Sequence, residues 1–297
     1  MNLLHPQVVA FITVLEESSF DNAAKKLSVT PSAISQRIKS LEDRLGQVLV
    51  LRQFPCRPTP TGEQLLRRVK PMQTLEAEAI DDFLPKNEKD KINIRHTVSI
   101  AVNDDSLATW FLSVQADLHH KYGYMFDLHV DDQDHTIDYL KNGRVMGAIT
   151  SEEKPLQGCN TIYLGKMRYF SVASKCFIET YFNNGLDTDS LSNAPMIVFD
   201  RKDSLQWKFL NKITAREIKP PIHYIPTSSG FIDAAALGLG WCLAPEFLIT
   251  KNSDVELLSE EYCIDIPLYW QYYSFRSEII KKVTQELVSA TSGKLYE

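Results

Sequence analysis

Apolar side chains recur at helical spacing through the first 45 residues and then give way to shorter runs. Val8, Phe11, Ile12 and Leu15 stand at i, i+3, i+4 and i+7, one face of a helix over residues 5–17. Ser18 and Ser19 offer an N-cap to a second, short helix with Phe20, Ala23, Ala24 and Leu27 turned inward. A tight break comes next at Ser28-Val29. Thr30 is then a good N-cap, and Pro31 suits the first helical position because its missing N–H would have been unpaired there anyway. The third helix carries Ile34, Ile38, Leu41 and Leu45 on its apolar face and stops at Gly46.

Two short helices and a third with a polar outer face form a helix-turn-helix pattern. That outer face carries Ser32, Ser35, Gln36 and Lys39, small or amide side chains able to enter a major groove and bond base edges. A merely solvated face would be richer in Glu and Lys. Residues 48–59 read as a short β wing with Arg52 and Arg57 near its tip, placed to pair with phosphates and give affinity rather than sequence choice. Cys56, between prolines, reads as incidental.

From Thr61 to about Phe83 the pattern predicts one long helix. Leu65, Val69, Met72, Ala79 and Phe83 form a loose stripe able to pair with a second copy, with Pro71 expected to kink or interrupt it. The alternative is that the stripe packs on its own body. A dimer would set two recognition helices about one DNA turn apart, roughly 34–36 Å. Residues 85–93 are polar and aperiodic, a hinge. The domain reading is a winged helix-turn-helix over 1–60, a dimerisation helix and hinge over 61–90, and an effector-binding domain over 91–297.

Beyond Thr97 strands and helices alternate. Apolar runs predict strands at 97–102, 126–130, 145–149, 168–174, 196–199, 222–225, 241–244 and 267–272. Helices fall between them at 105–120, 135–142, 206–212, 229–237 and 277–290. This predicts an α/β domain with mostly parallel strands. Such sheets bind ligands beyond the carboxyl ends of their strands, near helix N-termini. Asn103-Asp104-Asp105-Ser106 and Thr227-Ser228-Ser229 occupy such positions and suit a small carboxylate. Helix capping alone explains each equally well. Asp131, Asp132 and Asp200 cluster at other strand ends. Carboxylates beside anion-friendly helix starts point to a zwitterion with an extra positive charge, a basic amino acid. Surface solvation explains any single Asp as well.

Charge sharpens the division. The 297 residues carry a net charge of −6, yet residues 1–70 hold ten Lys or Arg against six Asp or Glu. A basic front on an acidic back fits a small DNA-binding module joined to a larger body. No apolar run approaches the ~20 residues that span a bilayer, and the N-terminus lacks a secretory pattern, so no membrane partner is expected. Cys56, Cys159, Cys176, Cys242 and Cys263 are odd in number and scattered, against a disulfide framework or zinc cage. The expected location is cytoplasmic.

Other chemistry is weakly signalled. His119, His120, His129 and His135, with Asp131, Asp132 and Asp134, match no compact metal motif, and adjacent His119 and His120 cannot share a helix face. No GxSxG, HExxH or Gly-rich phosphate loop is present, so no enzyme activity and no cofactor is expected. An architectural DNA-binding protein, needing no cleft, is the main competing class.

The run AAKKLSVTPSAISQRIKSLEDRLGQVLVLR, with PTPTGEQLL after it, resembles the winged helix-turn-helix of LysR-type transcriptional regulators. The likeness covers about 60 residues, with AAxxL, SAxSxxIxxLE, LG and TxxG in order. One departure is Pro31, where many members have Gln, which leaves Ser32, Ser35 and Gln36 as the base-reading positions. GLGWCLAP at 238–245 resembles a turn late in the family's effector domains. The resemblance implies two α/β subdomains around a cleft, as in periplasmic solute-binding proteins. AVNDDSLATWFL (101–112), HVDDQD (129–134), VFDRKD (198–203) and TSSGF (227–231) extend it to the lysine- and arginine-responsive, ArgP/LysG-like subgroup. Gly230 departs from the acidic residue often found there. The subgroup senses lysine or arginine and typically activates a gene for an exporter of basic amino acids. The resemblance also implies a homodimer, or a homotetramer, that binds promoter DNA and contacts RNA polymerase.

Overall fold

The computed structural model describes residues 3–83 and 96–297; the expected hinge at 85–93 lies outside the described residues. The chain opens with α1 (Pro6–Glu17), α2 (Phe20–Lys26) and α3 (Pro31–Leu45). Their local signals act as read. The Ser19 side chain accepts from the Asn22 amide, the Thr30 hydroxyl accepts from the Ala33 amide, and Gly46 ends α3 at φ +64°. Phe11, Ile12, Ile34, Ile38 and Leu49 are at most 1% exposed and form the module's core. Two expectations fail here. Leu45 is 48% exposed, because it lies in the last turn beyond the reach of α1 and α2. Cys56 is not incidental: it is buried in this core. A two-stranded wing, β1 (Val50–Leu51) and β2 (Arg57–Pro58), completes the module.

Helix α4 (Pro60–Phe83) runs unbroken through Pro71, correcting the expected interruption. Val69, Lys70 and Thr74, all buried, pack on both sides of the proline and hold the helix across the missing hydrogen bond. Lys70 reaches Glu16 on α1. The apolar stripe changes surroundings along its length. Leu65 and Val69 meet the N-terminal core, whereas Met72 and Phe83 lie beyond it and are exposed, with Leu75 beside them. Other faces of α4 touch the second body: Thr74 lies 2.7 Å from the Met146 sulfur, and Glu78 accepts from the Ile279 amide at 2.9 Å.

The second body begins with β3 (Thr97–Asn103). A continuous helical stretch comes after it: α5 (Asp104–Ser106), a π turn (Leu107–Phe111) and α6 (Leu112–Tyr122). Next come β4 (Met125–Asp131), α7 (Thr136–Lys141), β5 (Gly147–Thr150) and β6 (Cys159–Ala173). The chain continues through α8 (Lys175–Tyr181), α9 (Thr188–Asn193), β7 (Met196–Val198), α10 (Leu205–Ile213), β8 (Ile222–Tyr224) and α11 (Ser228–Ala236). It ends with β9 (Cys242–Pro245), α12 (Glu246–Ile249), β10 (Glu256–Leu257), β11 (Cys263–Tyr273) and α13 (Glu278–Thr291).

One sheet runs β10-β6-β11-β5-β3-β4, with β9 also on β6, and β7 pairs β8 separately. Pairing is parallel for β3 with β4, β3 with β5, and β7 with β8. The expectation of mostly parallel strands fails at the centre, where β6 and β11 form a long antiparallel pair. β6 has 15 residues and β11 has 11, well beyond the apolar runs at 168–174 and 267–272. Their first halves are mostly only part-buried, so only the more buried second halves stood out. These two strands join the subdomains: β11 pairs β5 on one side, and β6 pairs β9 on the other. Gly147 on β5 faces the Trp270 ring so closely that any Cβ would overlap it.

Candidate functional site

Two surfaces gather the sequence-marked residues. On the N-terminal module, Thr30, Ser32, Gln36 and Lys39 are exposed along α3 and Ser35 is half-buried beside them. They share one face because Ile34, Ile38 and Leu41 hold the opposite face in the core. Thr30 is also engaged at 2.9 Å with the Ser32 hydroxyl, so the helix start is internally fixed. Gln7 and Arg44 brace the rear: Gln7 donates to Ser40 at 2.6 Å and accepts from Arg44 at 2.8 Å. Arg57 is exposed on the wing. Arg52 opens the turn between the strands, and its side chain folds back on the module. Its guanidinium sits 3.7 Å from Glu42 and 5.4 Å over the Phe20 ring, tying the wing to α2 and α3. The side chain stays half-exposed and can still meet a phosphate.

In the second body a narrow cleft, with about 20 Å³ of free space, lies between the subdomains. It lies at the carboxyl ends of β3, β4, β7 and β8, where open α/β sheets present helix N-termini to ligands. Asp104, Asp131, Asp132 and Ser228 line it, as the sequence expected. Asp105, Gln133, Phe199, Asp203, Leu205, Phe231 and Leu243 complete the wall. Five carboxylates thus face one cleft whose lining, among the described residues, includes no Lys, Arg or His.

The expected residues divide. Asn103 and Ser106 are 1% and 0% exposed and lie beneath the wall, not on it. Asn103 ends a strand flanked on both sides, and Ser106 turns inward in the first helical turn. Asp200 is taken up by a turn, accepting from the Lys202 and Asp203 amides at 2.6 and 3.0 Å. Ser229 is exposed, its hydroxyl 3.1 Å from that of Thr227, off the wall. Sequence reasoning missed Asp105 and Asp203, although each sits beside or within a segment it had marked.

The carboxylates differ in what already binds them. Asp104 Oδ2 accepts from the Ser228 amide at 2.5 Å, so one subdomain reaches the start of α11 in the other. Such a contact uses an otherwise unpaired N–H and the positive end of the helix dipole. Asp105 accepts from the buried Tyr169 hydroxyl at 2.7 Å. Loss of hydration pushes Asp105 up to about 6, with the Tyr169 and Ser228 hydrogen bonds pulling back. Loss of hydration likewise raises Asp132 to about 6, against an opposing bond from the Asp134 amide. Asp203, also raised by burial, accepts from the Phe199 and Leu205 amides at 3.2 and 2.9 Å. At the rim, Lys208 Nζ on α10 stands 3.5 Å from Asp134 across the cleft. The arrangement concentrates negative charge in a poorly hydrated slot, and a cation relieves it. No group of three or more His, Cys, Asp or Glu is arranged to hold a metal ion among the described residues.

Comparison with known proteins matches both bodies of the chain. Residues 6–63 match the bacterial regulatory helix-turn-helix protein, lysR family, and residues 93–291 match the LysR substrate binding domain. The chain is 41% identical to the transcriptional regulator LysG of Mycobacterium tuberculosis over 292 residues, 97% of this chain and 93% of that protein. The crystal structure of ArgP from Mycobacterium tuberculosis superposes with a TM-score of 0.85 at 40% identity, covering 99% of each chain. Full-length LysG of Corynebacterium glutamicum, solved with bound effector Arg, gives a TM-score of 0.74 at 32% identity, covering 99% of this chain and 100% of that one. No described helix is long and apolar enough to cross a membrane. With both halves matched in order along almost its whole length, the chain belongs to the LysR family of bacterial transcriptional regulators.

Proposed function

We propose that this regulator senses a basic amino acid, lysine or arginine, in the acidic cleft and converts its presence into a change in promoter binding. The observation that carries the reading is the wall itself: Asp104, Asp105, Asp131, Asp132 and Asp203 face one slot, with no cationic side chain among its described lining residues. A guanidinium or ammonium suits Asp105, Asp131 and Asp132. The ligand's carboxylate suits the start of α11 at Ser228, taking over the amide that Asp104 now holds and freeing Asp104 for the α-ammonium. The arginine bound by the Corynebacterium glutamicum relative supports a basic amino acid as the ligand class. An architectural DNA-binding protein would need no such cleft.

On the DNA side, Ser32, Ser35 and Gln36 read bases, with Thr30 at the helix start beside them, while Lys39, Arg52 and Arg57 hold phosphates. The exposed Met72, Leu75 and Phe83 of α4 supply an apolar seam for a second copy, hence a dimer able to pair into a tetramer. A ligand acts only by preferring one arrangement of that oligomer over another. It changes the angle between paired DNA modules, and so promoter bending or RNA polymerase contact. A gene that lowers the same amino acid, such as an exporter, is the target this logic favours.

The test is a thermal-shift screen of all twenty amino acids on the full-length protein. A ligand bound only by the folded state raises the apparent melting temperature. The expected rise is confined to lysine, arginine and their close relatives, and arginine alters the DNA bend at saturation. No rise with any basic amino acid overturns the effector assignment. An unchanged bend and footprint overturns the mechanism.

A further inference from the structure

The wing carries a side chain that neither the module's core nor the phosphate-binding set uses. Phe54 is 89% exposed at the turn between β1 and β2. A single exposed aromatic is unremarkable by itself. Here its setting is fixed from both sides. The strands close through the Leu51–Arg57 pair, leaving a five-residue tip. On one side Arg52 is held by Glu42 and the Phe20 ring. On the other, Cys56 is buried in the module's core and its amide donates to the Ser18 carbonyl at 2.8 Å. The tip is therefore anchored two residues before and two residues after the ring. It presents Phe54 between two arginines that remain open to solvent.

An apolar ring between cations, on the same module as an exposed recognition face, suits one occupant by charge: the DNA duplex. With α3 in the major groove, a wing meets the neighbouring minor groove. There Arg side chains gain from the negative potential, and an apolar wedge can enter between base steps. We propose that Phe54 is such a wedge, partly unstacking a base step beside the site read by α3 and fixing the local bend. The wedge favours steps that unstack easily, TA or CA/TG, so it adds sequence preference at a position where no base edge is hydrogen-bonded.

The test uses full-length protein and a duplex that it enriches from a randomised pool, with 2-aminopurine placed at successive steps outside the α3 contact. Wild type is expected to raise fluorescence at one such step and to bend the duplex. Phe54→Ala is expected to bind roughly tenfold more weakly, since an aromatic stacked on a base contributes on that scale. It should also lose the fluorescence rise and most of the bend. Phe54→Trp should keep both. Because the ring contacts solvent, Phe54→Ala should leave the melting temperature unchanged, which separates a lost wedge from a damaged module. Equal affinity, bend and fluorescence for wild type and Phe54→Ala would overturn the proposal. So would a Phe54→Ala protein that differs only in transcription with polymerase present, which assigns the ring to a protein partner.

Discussion

The DNA module and the effector cleft solve opposite problems with the same backbone. The module exposes its working residues on one helix and buries a plain apolar core behind them. Ser32, Gln36 and Lys39 point out because Ile34, Ile38 and Leu41 point in. The cleft instead draws Asp104 and Asp105 from one segment, Asp131 and Asp132 from a second, Asp203 from a third and Ser228 from a fourth. Its working groups are themselves the strained part. Charge is held partly away from water, whereas the module's sheltered carboxylate at Glu16 is neutralised by Lys70 and Lys26. Stability and function therefore pull together in the module and apart in the cleft.

The largest effect that checks this contrast is in the module's core. Ile38 is 0% exposed, and Ile38→Ala leaves a cavity worth about 2–5 kcal/mol. DNA binding should be lost at temperatures where calorimetry still shows wild-type arginine binding. Loss of both together would mean that the two regions do not fold as separable units.

In the cleft the signs should diverge. Asp105→Asn removes a carboxylate whose ionised form is disfavoured in the folded protein, so the ligand-free protein should melt higher at pH 7 while arginine binds at least tenfold more weakly, the scale of a lost charge-assisted contact. The pH dependence has the same origin. Asp105 and Asp132 are raised from 3.8 to about 6, so the folded state holds more protons than the unfolded chain between those values. Ligand-free stability from these groups is greatest below about 4 and falls as pH rises through 6. Arginine affinity should rise over the same window, since the cation needs the ionised form. Glu16 behaves oppositely. Burial alone would raise it, but Lys70 and Lys26 outweigh that and lower it. Its contribution is present above the ordinary 4.5 and is lost as pH falls through its lowered folded value. Melting curves carried from pH 8 down to about 2, with and without arginine, check both. Parallel curves with and without ligand would break the assignment of the cation to Asp105 and Asp132.

The two regions also differ in how far the sequence disclosed them. Thr30, Pro31 and Gly46 fix the ends of α3 through contacts within four residues, and the helical period fixes its faces, so its exposed polar face could be read directly. The cleft depends on which way residues turn at the ends of strands. Asp104 and Ser106 are two apart, yet one lines the wall and the other is sealed below it. Asp200 and Asp203 lie in one short segment, but the first closes a turn and the second reaches the wall. Local pattern locates such segments without assigning roles within them. The antiparallel β6–β11 pair was legible only in its buried halves for a related reason: partial exposure blurs the apolar run that marks a strand.

Within the module, the division between reading and holding gives effects of intermediate size. Gln36→Ala should relax preference at one base pair, by about 1–3 kcal/mol where the amide bonds a base with both its groups. Arg52→Ala should weaken binding to specific and random duplexes alike and lower the salt slope. Some of that loss will come from the wing, since Arg52 also anchors it to Glu42 and Phe20. Binding isotherms on an enriched and a scrambled duplex at several salt concentrations separate the two. Equal effects of both substitutions on both duplexes would remove the distinction.

The smallest effect lies at the rim of the cleft, and it separates the two regions most finely. Lys208 and Asp134 stand 3.5 Å apart, with side chains 46% and 37% exposed. An exposed pair of this kind contributes at most about 1 kcal/mol, so Lys208→Met should hardly alter melting. Arginine affinity, however, should increase about two- to fivefold, because the ligand no longer competes with a resident ammonium for the acidic rim. Lys202→Met, a similar loss of charge on an exposed side chain without a cross-cleft partner, should change affinity less. Equal gains from both would mean that overall potential, rather than the Lys208–Asp134 contact, sets the threshold. In the module the corresponding experiment runs the other way. Lys26 pairs with Glu16 and Glu17 at 3.3 and 2.8 Å, and removing it takes that partner from Glu17 and leaves Glu16 with Lys70 alone, with no ligand to replace the lost cation. A cation is thus dispensable where an effector supplies one, and structural where none arrives.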